Sequence, residues 1–251
     1  MSAPCFIYPD WPAPKNIKAY VSTRKGGFSR SPFDSFNVGQ HVKDDVTIVN
    51  KNRSLLPLHE NITWLNQTHS TTCINLDIPQ PIQVEADASI SRTKHQVCGV
   101  MTADCLPVLL CDKKGTIVAA VHAGWRGLAA GIIENTIIAM NSKSSDIIAW
   151  LGPAISQEYF EVGKEVKAAF DKYPDAFVAK DSVKTDKFLT DLYLIAKQKL
   201  QFLGIDNVYG GDFCTYGQKD CFFSHRRATH ELNDGSGPAT TGRMVSAIYI
   251  G

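Results

Sequence analysis

Two histidines and one cysteine, His69, Cys105 and His122, each follow a short apolar run in this 251-residue chain. Runs of that kind read as buried strands, so each of the three is expected at a strand end. Adjacent strands of one sheet bring their ends together, and two imidazoles with one thiolate make an N2S donor set. Three protein donors with one position left open is the pattern of a catalytic zinc site. Such an ion lowers the pKa of its water to about 7 and supplies hydroxide at neutral pH. The same residues support a metal-free alternative, with Cys105 as nucleophile, His122 as its base, and Asp87 or Asn37 as the orienting group. The three donors lie too far apart in sequence for a local spacing rule to choose between these readings.

Either chemistry needs electrophilic help. Arg24, Arg126, Arg226, Arg227 and Arg243 lie in motifs next to Gly, Ser or Thr, and are not expected on charged helix faces. Arginine binds phosphate or carboxylate through two parallel hydrogen bonds. A phosphate, a sugar phosphate or a peptide carboxylate fits that inventory. Tyr216, Phe213 and Phe223 could stack on a base, but core packing is the ordinary use of such residues.

The elements that must position these groups follow from hydrophobic periodicity. The central stretch is Val121–Gly131: a strand over Thr116–Val121, then His122, then Gly124 and Gly127, then a helix from Leu128 to Met140. The glycines let the backbone bend and let a ligand come close, with free N–H groups of the helix start facing it. Further strands are expected at Ile17–Ser22, Ile62–Leu65, Val97–Met101, Leu106–Cys111, Asp146–Leu151 and Arg243–Ile250. Helices are expected at Val46–Leu56, Glu161–Tyr173 and Asp186–Leu203, the last capped by Thr185 and closed by Gly204. Pro107 holds Leu106 extended, which fixes Cys105 in a kink between two buried strands. A long polar loop after Ser22 carries Arg24, Lys25, Asn37 and His41. The segment through Pro14 is expected to wrap the surface.

Composition narrows the function classes. A formal net charge of +1 gives no field for nucleic acid. No run approaches the roughly 18–20 apolar residues of a membrane span, and the N-terminus lacks the order of a signal peptide. Seven cysteines, at positions 5, 73, 98, 105, 111, 214 and 221, form no CxxC pair. They fit a reducing cytoplasm better than a disulfide framework. No linker divides the chain, so residues 1–251 are expected to form one domain, with a monomer favoured. The nucleotide-loop, zincin, nucleophile-elbow and zinc-deaminase signatures are absent. Seven scattered histidines are few for a multicopper oxidase.

The set STRKGG…FNVG, Gln67-Thr68-His69, TADCLPVLLCD, VHAGWRGLAAGI, Tyr159–Gly163, CTY…FFSHRR and TGRMVSAI resembles the YfiH-type family across residues 17–250. Its members are called laccase-domain or polyphenol oxidase proteins, purine nucleoside phosphorylases or peptidoglycan editing factors. The resemblance implies an α+β, mixed α/β fold: a layered sandwich of mixed β-sheets flanked by helices, cysteine-hydrolase-like. It implies a zinc site on His69, Cys105 and His122, copper being the second choice, with Arg24, Arg126 and Arg243 lining the pocket. Cys105, His122 and Asp87 become the catalytic candidates, and Arg24, Asn37, Arg126 and Arg243 the substrate- or anion-binding ones. His225 receives no role. The implied activity is phosphorolysis of adenosine, inosine or methylthioadenosine, with adenosine deamination at the same site and Asp87 or Asp104 as general acid. The alternative is an amidase that removes L-Ser from UDP-MurNAc-L-Ser. The expected partners are thus a nucleoside plus phosphate, or a UDP-sugar amino acid.

Overall fold

Strands that are apolar on both faces must be covered on both faces, and that requirement builds the architecture. The computed structural model describes residues 3–81, 84–180, 186–232 and 239–251. In chain order the strands are β1 (Phe6–Ile7), β2 (Ile17–Ser22), β3 (Ile62–Thr63), β4 (Cys73–Asn75), β5 (Ala88–Ser91), β6 (Val97–Thr102), β7 (Leu106–Asp112), β8 (Val118–Ala123), β9 (Ile147–Leu151), β10 (Glu161–Gly163), β11 (Phe177–Ala179), β12 (Lys187–Thr190), β13 (Val208–Gly210) and β14 (Met244–Ile250). The helices are α1 (Val46–Arg53), α2 (Trp125–Ala130), α3 (Ile132–Met140), α4 (Lys164–Ala168), α5 (Leu192–Phe202) and α6 (His225–Glu231).

A five-stranded sheet runs β1-β2-β14-β6-β3, and a six-stranded sheet runs β13-β9-β7-β8-β5-β4. Both are mixed: β3, β4 and β13 pair in parallel with their neighbours, while the other pairings are antiparallel. A small third sheet, β10-β12-β11, stands apart. This is the mixed-sheet α+β class expected from the sequence.

The strands alternate between two cores. In β7, Leu106, Val108 and Leu110 face the helices, while Leu109 and Cys111 face the other large sheet. In β8, Ala119, Val121 and Ala123 take the helix side and Val118 and Ala120 the inter-sheet side. By the same period of two, His122 stands on the inter-sheet face. Cys98 and Val100 of β6 and Ile248 of β14 meet these residues from the five-stranded sheet. Burial of side chains of that size stabilises by roughly 1.5–3 kcal/mol each.

Several expectations change. The helix placed over Leu128–Met140 is two helices, because Gly131 at φ 104° ends α2 and begins α3. Glu161–Tyr173 is not one helix: Glu161–Gly163 pairs with β12 before the short α4. Asp186–Leu203 likewise opens as strand β12, and α5 starts only where the Asp191 carboxylate accepts from Leu194 N. Pairing with two neighbours outweighs helix propensity there. The cap assigned to Thr185 lies outside the described residues, whereas Gly204 does take the left-handed conformation, at φ 76°. The N-terminal segment supplies β1, an edge strand on β2, rather than only wrapping the surface.

Strand β5 leads directly from Asp87 into the six-stranded sheet, and its far end is pinned by Asp77. That carboxylate accepts from Ser91 Oγ (2.8 Å), Arg92 N (2.9 Å), Thr93 N (3.1 Å) and Thr93 Oγ1 (3.0 Å). Burial alone would raise the Asp77 carboxyl, but the bonds from Arg92, Ser91 and Thr93 outweigh it and hold it below the usual range. A depressed folded pKa means stability that is full above the unfolded value and lost as pH falls through the folded one. Asp77→Ala is expected to cost about 1–3 kcal/mol in urea unfolding at pH 7. The gap to wild type should shrink as the medium is acidified; a gap that widened toward low pH would contradict this account.

Candidate metal centre

Three different connections deliver the three donors. Cys105 lies where the chain crosses from β6 of one large sheet to β7 of the other. His122 is the penultimate residue of β8. His69 lies in the loop after β3. The expectation that adjacent strand ends of one sheet supply the site is therefore corrected: the donors come from both sheets and meet at the edge of the sandwich. His69 is exposed, Cys105 half-buried and His122 buried, and their donor atoms all lie within 4.8 Å of one another. The His69 and His122 rings meet edge-on at 4.8 Å.

One carboxylate holds both histidines. Asp87, fully buried, accepts from His122 Nδ1 (2.7 Å), Thr68 N (3.2 Å), His69 N (3.0 Å), Ser70 N (2.6 Å) and Ser70 Oγ (2.8 Å). The bond at Nδ1 leaves His122 Nε2 free to ligate. Gln67 fastens the same loop to β6, accepting from Met101 N (2.7 Å) and donating to Met101 O (2.8 Å). Two residues at the centre have backbones that side chains rarely adopt, His69 at φ 60° and Asp104 at φ 92°. Asp104 is held there by Thr215 Oγ1 (2.6 Å) and Arg226 N (2.7 Å), and this aims the following Cys105.

The electrostatics suit a thiolate ligand. Burial alone would raise the Cys105 thiol, but the charge of His122 and hydrogen bonds from His122 and His69 bring it well below the ordinary value. For His122, burial opposes the charged form, and the Cys105 thiolate with Asp87 outweighs it and raises the imidazole. For Asp87, burial is likewise overcome by the bonds from His122 and Ser70, which keep the carboxyl low. A tetrahedral ion with Zn–N and Zn–S bonds of ordinary length holds N and S about 3.6 Å apart. Cys105 Sγ and His69 Nε2 stand 3.7 Å apart. The donor set fits a metal ion. Among the described residues it is the only group of three or more such donors.

Gly124 explains how the donors get so close. A Cβ there would stand 2.4 Å from His69 Cδ2 and 3.2 Å from Cys105 Sγ. The glycine makes room for the chain's own donors, not for a ligand approaching a helix start. Gly127 similarly lets Ser70 O approach, at 2.9 Å from the position of a Cβ.

Two chambers adjoin the centre. One of about 320 Å3, called the polar chamber for its side-chain heads rather than its wall area, is lined by His41, Gln67, His69, Thr102, Cys105, His122, His225 and Arg243, with Met101 and Ala103. An apolar one of about 130 Å3 is lined by Asp104, Cys105, Trp125, Ile155, Phe160, Leu192, His225 and Arg226, among others. Cys105 and His225 line both. In the polar chamber the fields are positive: desolvation, Arg243, Arg53 and His122 push His41 down to about 4.

The other sequence candidates separate. Arg243 lines the polar chamber; its Nη1 serves Thr241 O and Gly242 O, while its Nε and Nη2 make no hydrogen bond among the described residues. Asn37 is buried behind it: its Oδ1 accepts from Arg243 N and Gly39 N, so it positions the arginine and touches neither chamber. Arg24 is remote from the centre, in a separate polar pocket with Lys25 and Lys219. Its donors go to Asp34 O, Asp34 Oδ2 and Lys219 O. Arg126 is exposed and lies over its own Trp125 ring at 4.3 Å, outside both chambers. Arg227 is spent on Thr215 O, Tyr216 O and Phe222 O. Both oxygens of Asp87 and of Asp104 accept from donors of the chain itself, which favours a positioning role over the general-acid role considered for each. Sequence reasoning missed His225, His41 and the Trp125–Phe160 wall; the only signal for His225 was its place beside a buried serine and two arginines.

Two variants test the centre. Asp87→Asn is expected to weaken metal binding by about 10- to 100-fold, read as metal retained after dialysis against a graded chelator. Gly124→Ala should fold, by its circular dichroism, yet lose the metal, because the new methyl displaces His69; retention at the wild-type level would refute the steric account.

The family model described as multi-copper polyphenol oxidoreductase laccase matches residues 18–251. The chain is 44% identical to the Escherichia coli strain K12 protein named purine nucleoside phosphorylase YfiH, over 97% of this chain and 98% of that one. It is 42% identical to the Pseudomonas aeruginosa protein named purine nucleoside phosphorylase PA4543, over 98% of each. Among solved structures, Neisseria meningitidis protein NMB0706 superposes with a TM-score of 0.87 at 43% identity, covering 98% of both chains. YlmD from Geobacillus stearothermophilus gives 0.86 at 25% identity, covering 100% of this chain and 97% of that one. The chain belongs to the laccase-like YfiH family, and it is an enzyme, as its curated relatives are.

Proposed function

We propose that the chain is a zinc-dependent purine nucleoside phosphorylase acting on adenosine, inosine and methylthioadenosine, with adenosine deamination at the same centre. The observation that carries this is the placing of Cys105 on the wall shared by two chambers, one that also holds His69, His122 and the Arg243 guanidinium, the other apolar and aromatic-walled. A nucleoside with phosphate has that same division. The purine fits beside Trp125 and Phe160, and sugar and phosphate fit beside Arg243. Arg243, backed by Asn37, offers its unpaired guanidinium edge to the phosphate oxygens. When bound, zinc supplies a Lewis acid and lowers the pKa of water at its open position. Asp87 keeps His122 in the ligating tautomer, and the apolar walls exclude water from the base.

The names of the relatives support this reading. The cell-wall amidase reading drew its support from a cluster of arginines, and only Arg243 and Arg226 border the chambers. A multi-copper mechanism would need a second donor group. The small-molecule partners are thus a nucleoside and phosphate, and a monomer suffices, since both chambers are lined by one chain. A cytoplasmic location accords with seven free cysteines, and no described helix is long and apolar enough to cross a membrane.

The test is inosine plus phosphate, followed by release of hypoxanthine and ribose 1-phosphate, with ammonia release from adenosine in parallel. His122→Ala should lose the metal and drop both activities by more than the roughly 10- to 100-fold that loss of a ligand's outer partner costs. UDP-MurNAc-L-Ser should release no serine. Wild-type turnover in His122→Ala, or serine release without phosphorolysis, would overturn the proposal.

A further inference from the structure

Phosphorolysis moves a proton as well as a glycosyl group. Monohydrogen phosphate carries a proton that the sugar 1-phosphate dianion lacks, and the departing purine anion must gain one. The two buried carboxylates of the site cannot carry it. Asp87 is committed to His122 and the 68–70 loop, and Asp104 to Thr215 and Arg226 N.

His225 is placed differently. It begins α6, lines both chambers and is solvent-exposed at their junction. Its ring makes no hydrogen bond among the described residues; only its backbone carbonyl is used, accepting from Thr229 Oγ1 at 2.9 Å. An imidazole has a nitrogen on each side of the ring, one a donor and one an acceptor when neutral.

We propose that His225 is a catalytic residue that relays the proton of phosphate to the leaving purine, bridging the polar and apolar chambers. This rests on the phosphorylase reading above. As a phosphate oxygen bonds to C1′, the C1′–N9 bond breaks and its electron pair passes into the purine. The phosphate O–H proton goes to one ring nitrogen of His225, and the N–H proton of the other goes to N7 of the purine. The imidazole is neutral before and after, with its tautomer reversed. Exchange with water at the exposed edge restores it.

The neighbours favour the neutral ring that a relay requires. Partial burial, Arg243 and Arg226 lower the His225 pKa, against the opposing charge of Asp104. A neutral imidazole can accept from phosphate, whereas an imidazolium cannot.

The experiment compares two substrates in wild type, His225→Ala and His225→Gln, each checked for metal content and fold. From inosine the base leaves as an anion that needs a proton. In 7-methylinosine, N7 is methylated and the ring already carries positive charge, so the base departs neutral without one. With inosine, kcat is expected to fall by about 100-fold or more in both variants, the usual size of a lost acid–base contribution. With 7-methylinosine it should fall by less than about 10-fold, below that same range. Equal losses on both substrates, or no loss on either, would overturn the relay and leave the phosphorylase reading standing. A wild-type protein that phosphorolyses neither substrate overturns that reading, and the relay with it.

Discussion

The site depends on the cradle around Asp87. A fully buried carboxylate is costly unless its oxygens are satisfied. Here five donors satisfy it, and four of them belong to the loop that carries His69. The fifth is His122, from the six-stranded sheet. One ionised side chain thus ties a loop leaving the five-stranded sheet to a strand of the other, and it fixes the orientation of two metal donors together. Removing it would leave three backbone N–H groups and an imidazole N–H without their partner in a buried place. That is why Asp87 is a positioning residue and not an acid: a group so bound has no proton to give.

Asp104 repeats the arrangement on the other side. Its unusual backbone is stabilised by Thr215 Oγ1 and Arg226 N, and its carbonyl accepts from Ile155 N at 3.0 Å. Those bonds join the β6–β7 crossover, which carries Cys105, to the wall of the apolar chamber. The centre is therefore held by two carboxylates from two directions. The cationic groups that face solvent and the chambers stay free of them.

Much of this was legible in the sequence. The apolar runs Leu106–Cys111 and Thr116–Val121 could be read as buried strands, but β8 runs from Val118 to Ala123 and so takes in His122, which the sequence placed just past the strand. The donor types could be read as well. What the sequence could not supply was which partner each arginine meets. Arg24 and Arg243 look alike beside Gly and Thr, yet Arg24 is consumed by carbonyls of Asp34 and Lys219 while Arg243 keeps an edge open. The partners lie as far as 195 residues away, beyond any local pattern. The same limit misplaced α5. Its first turn looks helical from Asp186, but Lys187–Thr190 is claimed by strands on both sides.

Gly124 carries an argument of its own about the metal. A glycine after a strand and before a helix reads first as a hinge or a place for a ligand to approach. The space it leaves is instead filled by His69 and Cys105. Its φ of −62° is open to any residue, so backbone freedom is not what the position requires. What it requires is the absence of a Cβ, and the reason is the crowding of an imidazole and a thiol. An imidazole and a thiol packed that tightly hydrogen-bond one another, and their donor atoms are also close enough to share an ion. The steric demand at Gly124 and the N–S distance of 3.7 Å are separate observations, and one shared ion would satisfy both.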